Sequence, residues 1–210
     1  IASEGQNPVS NRIGSNTCSS VLTSYGPLAT LSLGSVGGAD LTHADSLEAG
    51  EIRLYDFNVP SGTAAVELRL DNPVGNARMT LRAGSGAQTP YWSYGRNGGQ
   101  GYSWNDNRII TIPNLASGLY SLTVQADPAT DASHLLRVRH LAASNLAFDA
   151  SLSSPGLTNV ASGSLADQQM QYFRVTVPTT FKGAPVLGWK LDLDNTSGNP
   201  RMRVRKDILP

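Results

Sequence analysis

A chain of 210 residues with 40% apolar and 15% charged residues, 21 glycines and 12 prolines can bury a core. It must do so with short elements and many turns, which argues for an all-β protein over a helical one. Formal net charge is zero and no Lys/Arg run occurs, so a nucleic-acid partner has no electrostatic support. Cys18 is the only cysteine, which excludes an internal disulfide and a Cys-based zinc site, and no segment approaches the roughly 20 apolar residues of a membrane helix.

The chain opens on Ile1 rather than Met, with no charged-then-apolar leader, and reads as an excised piece of something longer. Residues 1–25 are polar and aperiodic and predict a linker or the tail of a preceding module. Period-2 alternation, the mark of a strand with one wet and one buried face, then recurs. It appears in IRLYDFNV (52–59), VELRL (66–70), ARMTLR (77–82), RIITI (108–112), LYSLTVQ (119–125) and LLRVRHL (135–141). In the first of these, Ile52, Leu54, Phe57 and Val59 are expected to face a core, with a switch of face near Tyr55. LAFDASL (146–152) is the next expected strand. No window sustains the apolar stripe of a helix.

Two blocks repeat in order. LEAGEIRLYDFNVP (47–60) aligns without gaps to LADQQMQYFRVTVP (165–178), which places Tyr55 over Phe173 and Val59 over Val177. ELRLDNPVGNARMTLR (67–82) aligns to KLDLDNTSGNPRMRVR (190–205), and the second copy carries extra residues around TTFKGAPVLGW between the blocks. The repeat predicts a jelly-roll-like β-sandwich over 26–142 and a second, incomplete copy of the module over 143–210. The second copy has no match to IITIPNLASGLYSLTVQA or LLRVRHL, so it leaves strand edges unpaired. Either the chain is cut at that point or a strand from another chain completes the sheet.

YDFNVP and YFRVTVP, followed by LRLDNPVGNARMTLR and ASGLYSLTVQA, resemble the bacterial pre-peptidase C-terminal domain family over about two thirds of the chain. The family consists of β-sandwich modules appended to exported hydrolases and repeated in large surface proteins. The resemblance implies a secreted or cell-surface bacterial protein, an accessory role and partners among neighbouring domains of the same parent. One departure is clear: GNARMTLR and GNPRMRVR stand where many members carry an Asp-rich turn.

Catalytic patterns are missing. No GxSxG, HExxH, P-loop or Cys/His pair occurs, and the expectation is no enzyme. His43, His134 and His140 read as surface histidines; an extended strand would hold the last two about 20 Å apart, too far for one metal. Asp71 and Asp194, at equivalent turns with Asn72, Asn76, Asn195 and Asn199, admit two readings. One is a structural calcium, the only cofactor the chain suggests; the other is a turn capped by its own Asx side chains, with Gly75 and Gly198 at positive φ. Finally, TPYWSYGRNGGQGYSWND (89–106) gathers Tyr91, Trp92, Tyr94, Tyr102 and Trp104 around a glycine-rich centre. Rings flanked by amides and carboxylates suit polysaccharide binding; the other reading is a long glycine-rich loop whose rings cover the end of a sandwich.

Overall fold

The computed structural model describes residues 28–85, 108–146, 161–166, 169–195, 197–207 and 209–210. It also describes the backbone of a short hairpin, β1 (Gly5–Asn7) with β2 (Arg12–Gly14), and of strand β8 (Ser103–Asp106). Every regular element among these residues is a strand. Eight further strands carry the fold with β8: β3 (Thr30–Ser35), β4 (Leu41–Leu47), β5 (Ile52–Val59), β6 (Ala65–Val74), β7 (Ala77–Ala83), β9 (Ile109–Pro113), β10 (Gly118–Ala126) and β11 (Ala132–Leu141).

They form two sheets, one of five strands in the order β3-β5-β10-β7-β8 and one of four in the order β4-β11-β6-β9. All pairings are antiparallel except β3 with β5. One apolar cluster draws on both sheets, which makes the architecture a β-sandwich. The five-stranded sheet contributes Tyr55, Phe57, Val59, Met79, Leu81, Leu122 and Val124, and the four-stranded sheet contributes Leu47, Val66, Leu68, Leu70, Ile110, Leu136 and Val138. These residues sit at every second position of their strands, so the alternation seen in sequence is the burial pattern in space.

Two features differ from the sequence reading. No switch of face occurs near Tyr55: Tyr55, Phe57 and Val59 share the core face, while Leu54 lies on the other face, where β5 runs beside β3. The segment LTHADSL, not among the strands expected from sequence, forms β4, hydrogen-bonded along seven residues to β11. Its ends, Leu41 and Leu47, enter the core, and the long-range pairing overrides the low strand propensity of the residues between them.

The second copy keeps its local structure and not its sheets. β12 (Ala143–Leu146) pairs in parallel with β13 (Tyr172–Val175), and most of LAFDASL lies outside the described residues. The inserted residues form a tight hairpin, β14 (Thr180–Phe181) with β15 (Ala184–Pro185), turned through Lys182 and Gly183, both at positive φ as a two-residue hairpin requires. KLDLDN and MRVR, expected as strands, are not strands. Their counterparts in the first copy are held by β9, β10 and β11, and residues 143–210 contain no match to those strands. An isolated strand pattern has no ladder to join.

The repeated turns are nonetheless alike. The Glu48 amide donates to Glu51 Oε2 at 2.9 Å, and at the aligned site the Ala166 amide donates to Gln169 Oε1 at 2.8 Å. Gly75 (φ 72°) and Gly198 (φ 76°) both take the left-handed conformation. They differ in surroundings, because a Cβ on Gly75 would run into the Asp131 carbonyl of the β10–β11 turn, whereas nothing lies near Gly198. Gly75→Ala is therefore expected to cost more than ~2 kcal/mol and Gly198→Ala only ~1–2 kcal/mol, the ordinary left-handed penalty. Denaturant midpoints of the two variants measure the difference, and equal shifts would contradict the packing assigned to Gly75.

Candidate functional site

Titratable groups gather in two places, on opposite faces of the four-stranded sheet. On the core face, alternation along β4 puts Leu41, His43, Asp45 and Leu47 in one row, and β11 lays His134 directly opposite Asp45 and Leu136 opposite His43. Tyr55 and Arg53 of β5 reach Asp45 from the other sheet. The Tyr55 hydroxyl donates to Asp45 Oδ2 at 2.7 Å and Arg53 Nε donates to the same oxygen at 3.2 Å. The Ser46 amide donates to Oδ1 at 2.8 Å, so both carboxylate oxygens are engaged. Arg53 is also held by Glu51, and the His43 ring lies 5.7 Å from that of Tyr55.

The environment moves several ionisations. Burial pushes the Asp45 carboxyl up, but the Tyr55 hydroxyl, the Ser46 amide, Arg53 and His43 together outweigh it, and the net shift is below the usual 3.8. Burial, then the bond to the Asp45 carboxylate, drives the Tyr55 hydroxyl far above its usual range. His134 is 5% exposed and neither ring nitrogen has a hydrogen-bond partner among the described residues. Burial holds it below the usual 6.5 despite the opposing pull of Asp45, and His43 adds to the depression. This assembly is a clasp between sheets.

On the outer face of the same sheet runs a chain of ion pairs. Glu67, fully buried, accepts from Arg139 at 2.7 Å and lies 3.8 Å from Arg69; Arg69 lies 3.6 Å from Asp71. Asp71 meets Arg137 at 2.7 Å, and Arg137 lies 3.6 Å from Asp40. Tyr172 of the second copy packs near this row with Leu209 against Ala65, and Asn114 bonds both the carbonyl and the amide of Leu209 at 3.2 and 3.4 Å. Burial, and after it the charge of Glu67, raises the Tyr172 hydroxyl.

Sequence-based candidates are placed as follows. His134 is not a surface residue: alternation from Ala132 to Val138 turns it inward. His140 accepts from the Ala64 amide through Nε2 at 3.3 Å. Asp71 lies within β6 rather than in the turn, and it faces two arginines. Asp194 is exposed, and beside it the Asn195 side chain donates to the Gly198 carbonyl at 3.0 Å, closing the Asx-type turn. Among the described residues no group of three or more His, Cys, Asp or Glu could hold a metal ion. Tyr91, Trp92, Tyr94 and Tyr102 lie outside the described residues, and Trp104 is placed only by backbone register, opposite Leu81.

The Asp45–His134 pair escaped the sequence reading, although L-T-H-A-D-S-L and A-S-H-L-L-R-V each carry the period that would have revealed it. Beside it lies a shallow hollow of about 470 Å³, lined by Asp45 and His134 themselves together with Ala44, Ser46, Ser133 and Leu135, and by Asn72 at the β6 irregularity. The imidazole nitrogens of His134 are out of solvent's reach and do not serve it.

A third feature is the uncovered core face of the second copy. Phe173 and Val177 are 39% exposed, Leu193 and Met202 47%, and Val204 59%, whereas their first-copy counterparts Tyr55, Val59, Leu70, Met79 and Leu81 are at 4% or below. Full burial of such side chains stabilises by roughly 1.5–3 kcal/mol each.

No family model matches the chain, and no curated protein matches it. Among solved structures it is similar to the pre-peptidase C-terminal domain of collagenase from Bacillus anthracis, at 23% identity and TM-score 0.34, over 55% of this chain and 100% of that one. It is also similar to Aeromonas hydrophila PliG, a periplasmic inhibitor of g-type lysozyme, at 20% identity and TM-score 0.32, over 53% and 98% of the two chains. Likenesses this distant carry no argument about activity. What the fold defines is an all-β sandwich, and no helix among its described residues is long and apolar enough to cross a membrane.

The clasp makes stability sensitive to acid. Folded His134 holds a proton less tightly than an unfolded histidine, so its contribution is intact above pH 6.5 and declines as pH falls below that value. Asp45, whose folded pKa is also depressed, adds a second loss below pH 3.8. His134→Leu is expected to leave stability at pH 7 unchanged or raised by ~1 kcal/mol, since two unpartnered nitrogens are removed. The same variant should flatten the decline just below pH 6.5, as denaturant titrations at a series of pH values will show. A slope identical to the parent's would rule His134 out as its source.

Proposed function

We propose that the chain is a non-catalytic accessory module of a larger secreted or cell-surface bacterial protein, serving to space and anchor the domains beside it. The observation that carries this reading is the use made of its titratable groups. Asp45, Arg53, Tyr55, Glu67, Asp71, Arg137 and Arg139 are spent on internal struts within and between sheets, and among the described residues no hydrogen bond joins any of them to a serine side chain. The repeat supports the same reading, since a unit built to be copied along a chain is a unit of architecture. Its resemblance in sequence to modules of exported bacterial proteins supports the location.

Deleting residues 26–210 from the protein that carries them is expected to leave the specific activity of the remaining domains within about twofold and to reduce their retention at the cell surface. Lost turnover with undiminished retention would overturn the proposal.

The aromatic cluster at 91–104 supports a second reading, contact with polysaccharide. Under it, Trp92→Ala with Trp104→Ala should abolish binding to at least one member of a broad glycan array, since ring stacking supplies much of the contact energy. An unchanged array profile sinks it.

A further inference from the structure

We infer that the two copies meet at a rigid joint. The strand pair that opens the second copy seats on the outer face of the first module's four-stranded sheet, with Tyr172 as its anchor. The angle between the copies is thereby fixed. The inference rests on the spacing role proposed above and names what sets the spacing.

The second copy opens as the first does. β12 runs parallel to β13 with Ala143, Ser144 and Asn145 opposite Tyr172, Phe173 and Arg174. β3 runs parallel to β5 with Thr30, Leu31 and Ser32 opposite Leu54, Tyr55 and Asp56, the residues that align with 172–174. Direction and register are the same, so β12 is the second copy's β3. Only Ala142 separates it from β11 of the first module. A link of one residue is too short to act as a flexible tether.

The seat is built by the first module. Along β6, Val66 and Leu68 enter its core while Ala65 faces outward, yet Ala65 has zero exposure. A residue on the outside of a sandwich is sealed only when something lies over it. Tyr172 and Leu209 pack on it, with Ala64, Leu141 and Ala143 beside them. Ala64 is held on both sides: its amide donates to His140 Nε2 at 3.3 Å and its carbonyl accepts from the Asn114 amide at 2.8 Å. The Asn114 side chain in turn bonds the backbone of Leu209 at 3.2 and 3.4 Å. A short link closed by contacts at two separate points of the second copy leaves no free rotation about Ala142.

The anchor is a position at which the copies differ. Where the second copy has Tyr172, the first has Leu54, beside its own β3. Tyrosine adds reach and a broad apolar face, and the alanines at 64 and 65 leave room for it. Its hydroxyl bonds Met170 Sδ at 3.5 Å, within the same copy, so the ring and not the hydroxyl makes the joint.

Spin labels on Thr130→Cys and Arg174→Cys, both exposed positions, measure the joint in the intact chain carrying Cys18→Ser. A single narrow distance peak is expected for this chain, and again when Tyr172→Phe is added. Tyr172→Ala and Ala65→Arg should each lose that peak to a broad range of distances. Amide exchange in β6 and β11 should stay slow in both, which separates a loosened joint from an unfolded module. Ala65→Arg leaves the second copy's sequence intact, so it tests the seat independently of β13. A broad distribution before either change, or a narrow peak retained by Tyr172→Ala or by Ala65→Arg, overturns the joint. Broadening that comes only with fast exchange throughout β6 and β11 overturns it too. None of these outcomes bears on the accessory role, which stands or falls on the deletion.

Discussion

β10 and β11 each run through the middle of a sheet and are hydrogen-bonded on both sides, β10 to β5 and β7, β11 to β4 and β6. Backbone amides removed from water need such partners, and unpaired ones cost as much as a lost hydrogen bond. Everything else in the first copy depends on this double pairing. It closes the two sheets, brings Leu122, Val124, Leu136 and Val138 to zero exposure, and supplies the carbonyl of Asp131 against which the Gly75 turn is fitted. In residues 143–210 the same sequence motif keeps its turns, while KLDLDN and MRVR form no strand.

The clasp at Asp45 is a consequence of the same pairing. β11 lays His134 against Asp45, and the packing of the sheets delivers Tyr55 and Arg53 to the same carboxylate. A carboxylate with both oxygens satisfied is a stable internal group, and a histidine with neither nitrogen satisfied is a liability at low pH. The outer row from Arg139 to Asp40 follows a similar logic, with Glu67 tolerated at zero exposure because Arg139 bonds it closely. Chemistry of this kind fastens sheets.

The second copy is a contrast in what one motif can do with and without partners. Tyr172, on the face opposite to Phe173 and Val175, is buried against Ala65 and Leu209, so the copy leans on the first module with its outward face and offers its inward face to solvent.

By itself the sequence determined what is local. Period-2 alternation located β5, β6, β7, β9, β10 and β11, because the pleat projects side chains alternately whatever the partner strand is. The capped turns at Glu48 and Ala166 and the left-handed glycines 75 and 198 were likewise set by a few neighbouring residues, and both copies show them. Tertiary structure alone decided the rest. It made a strand of LTHADSL, kept the alternation unbroken through Tyr55, moved Asp71 from a turn into an ion-pair row, and denied strand structure to KLDLDN and MRVR. The physical reason is common to all four. A strand is completed by hydrogen bonds and side chains from residues far along the chain, and a short sequence window contains neither.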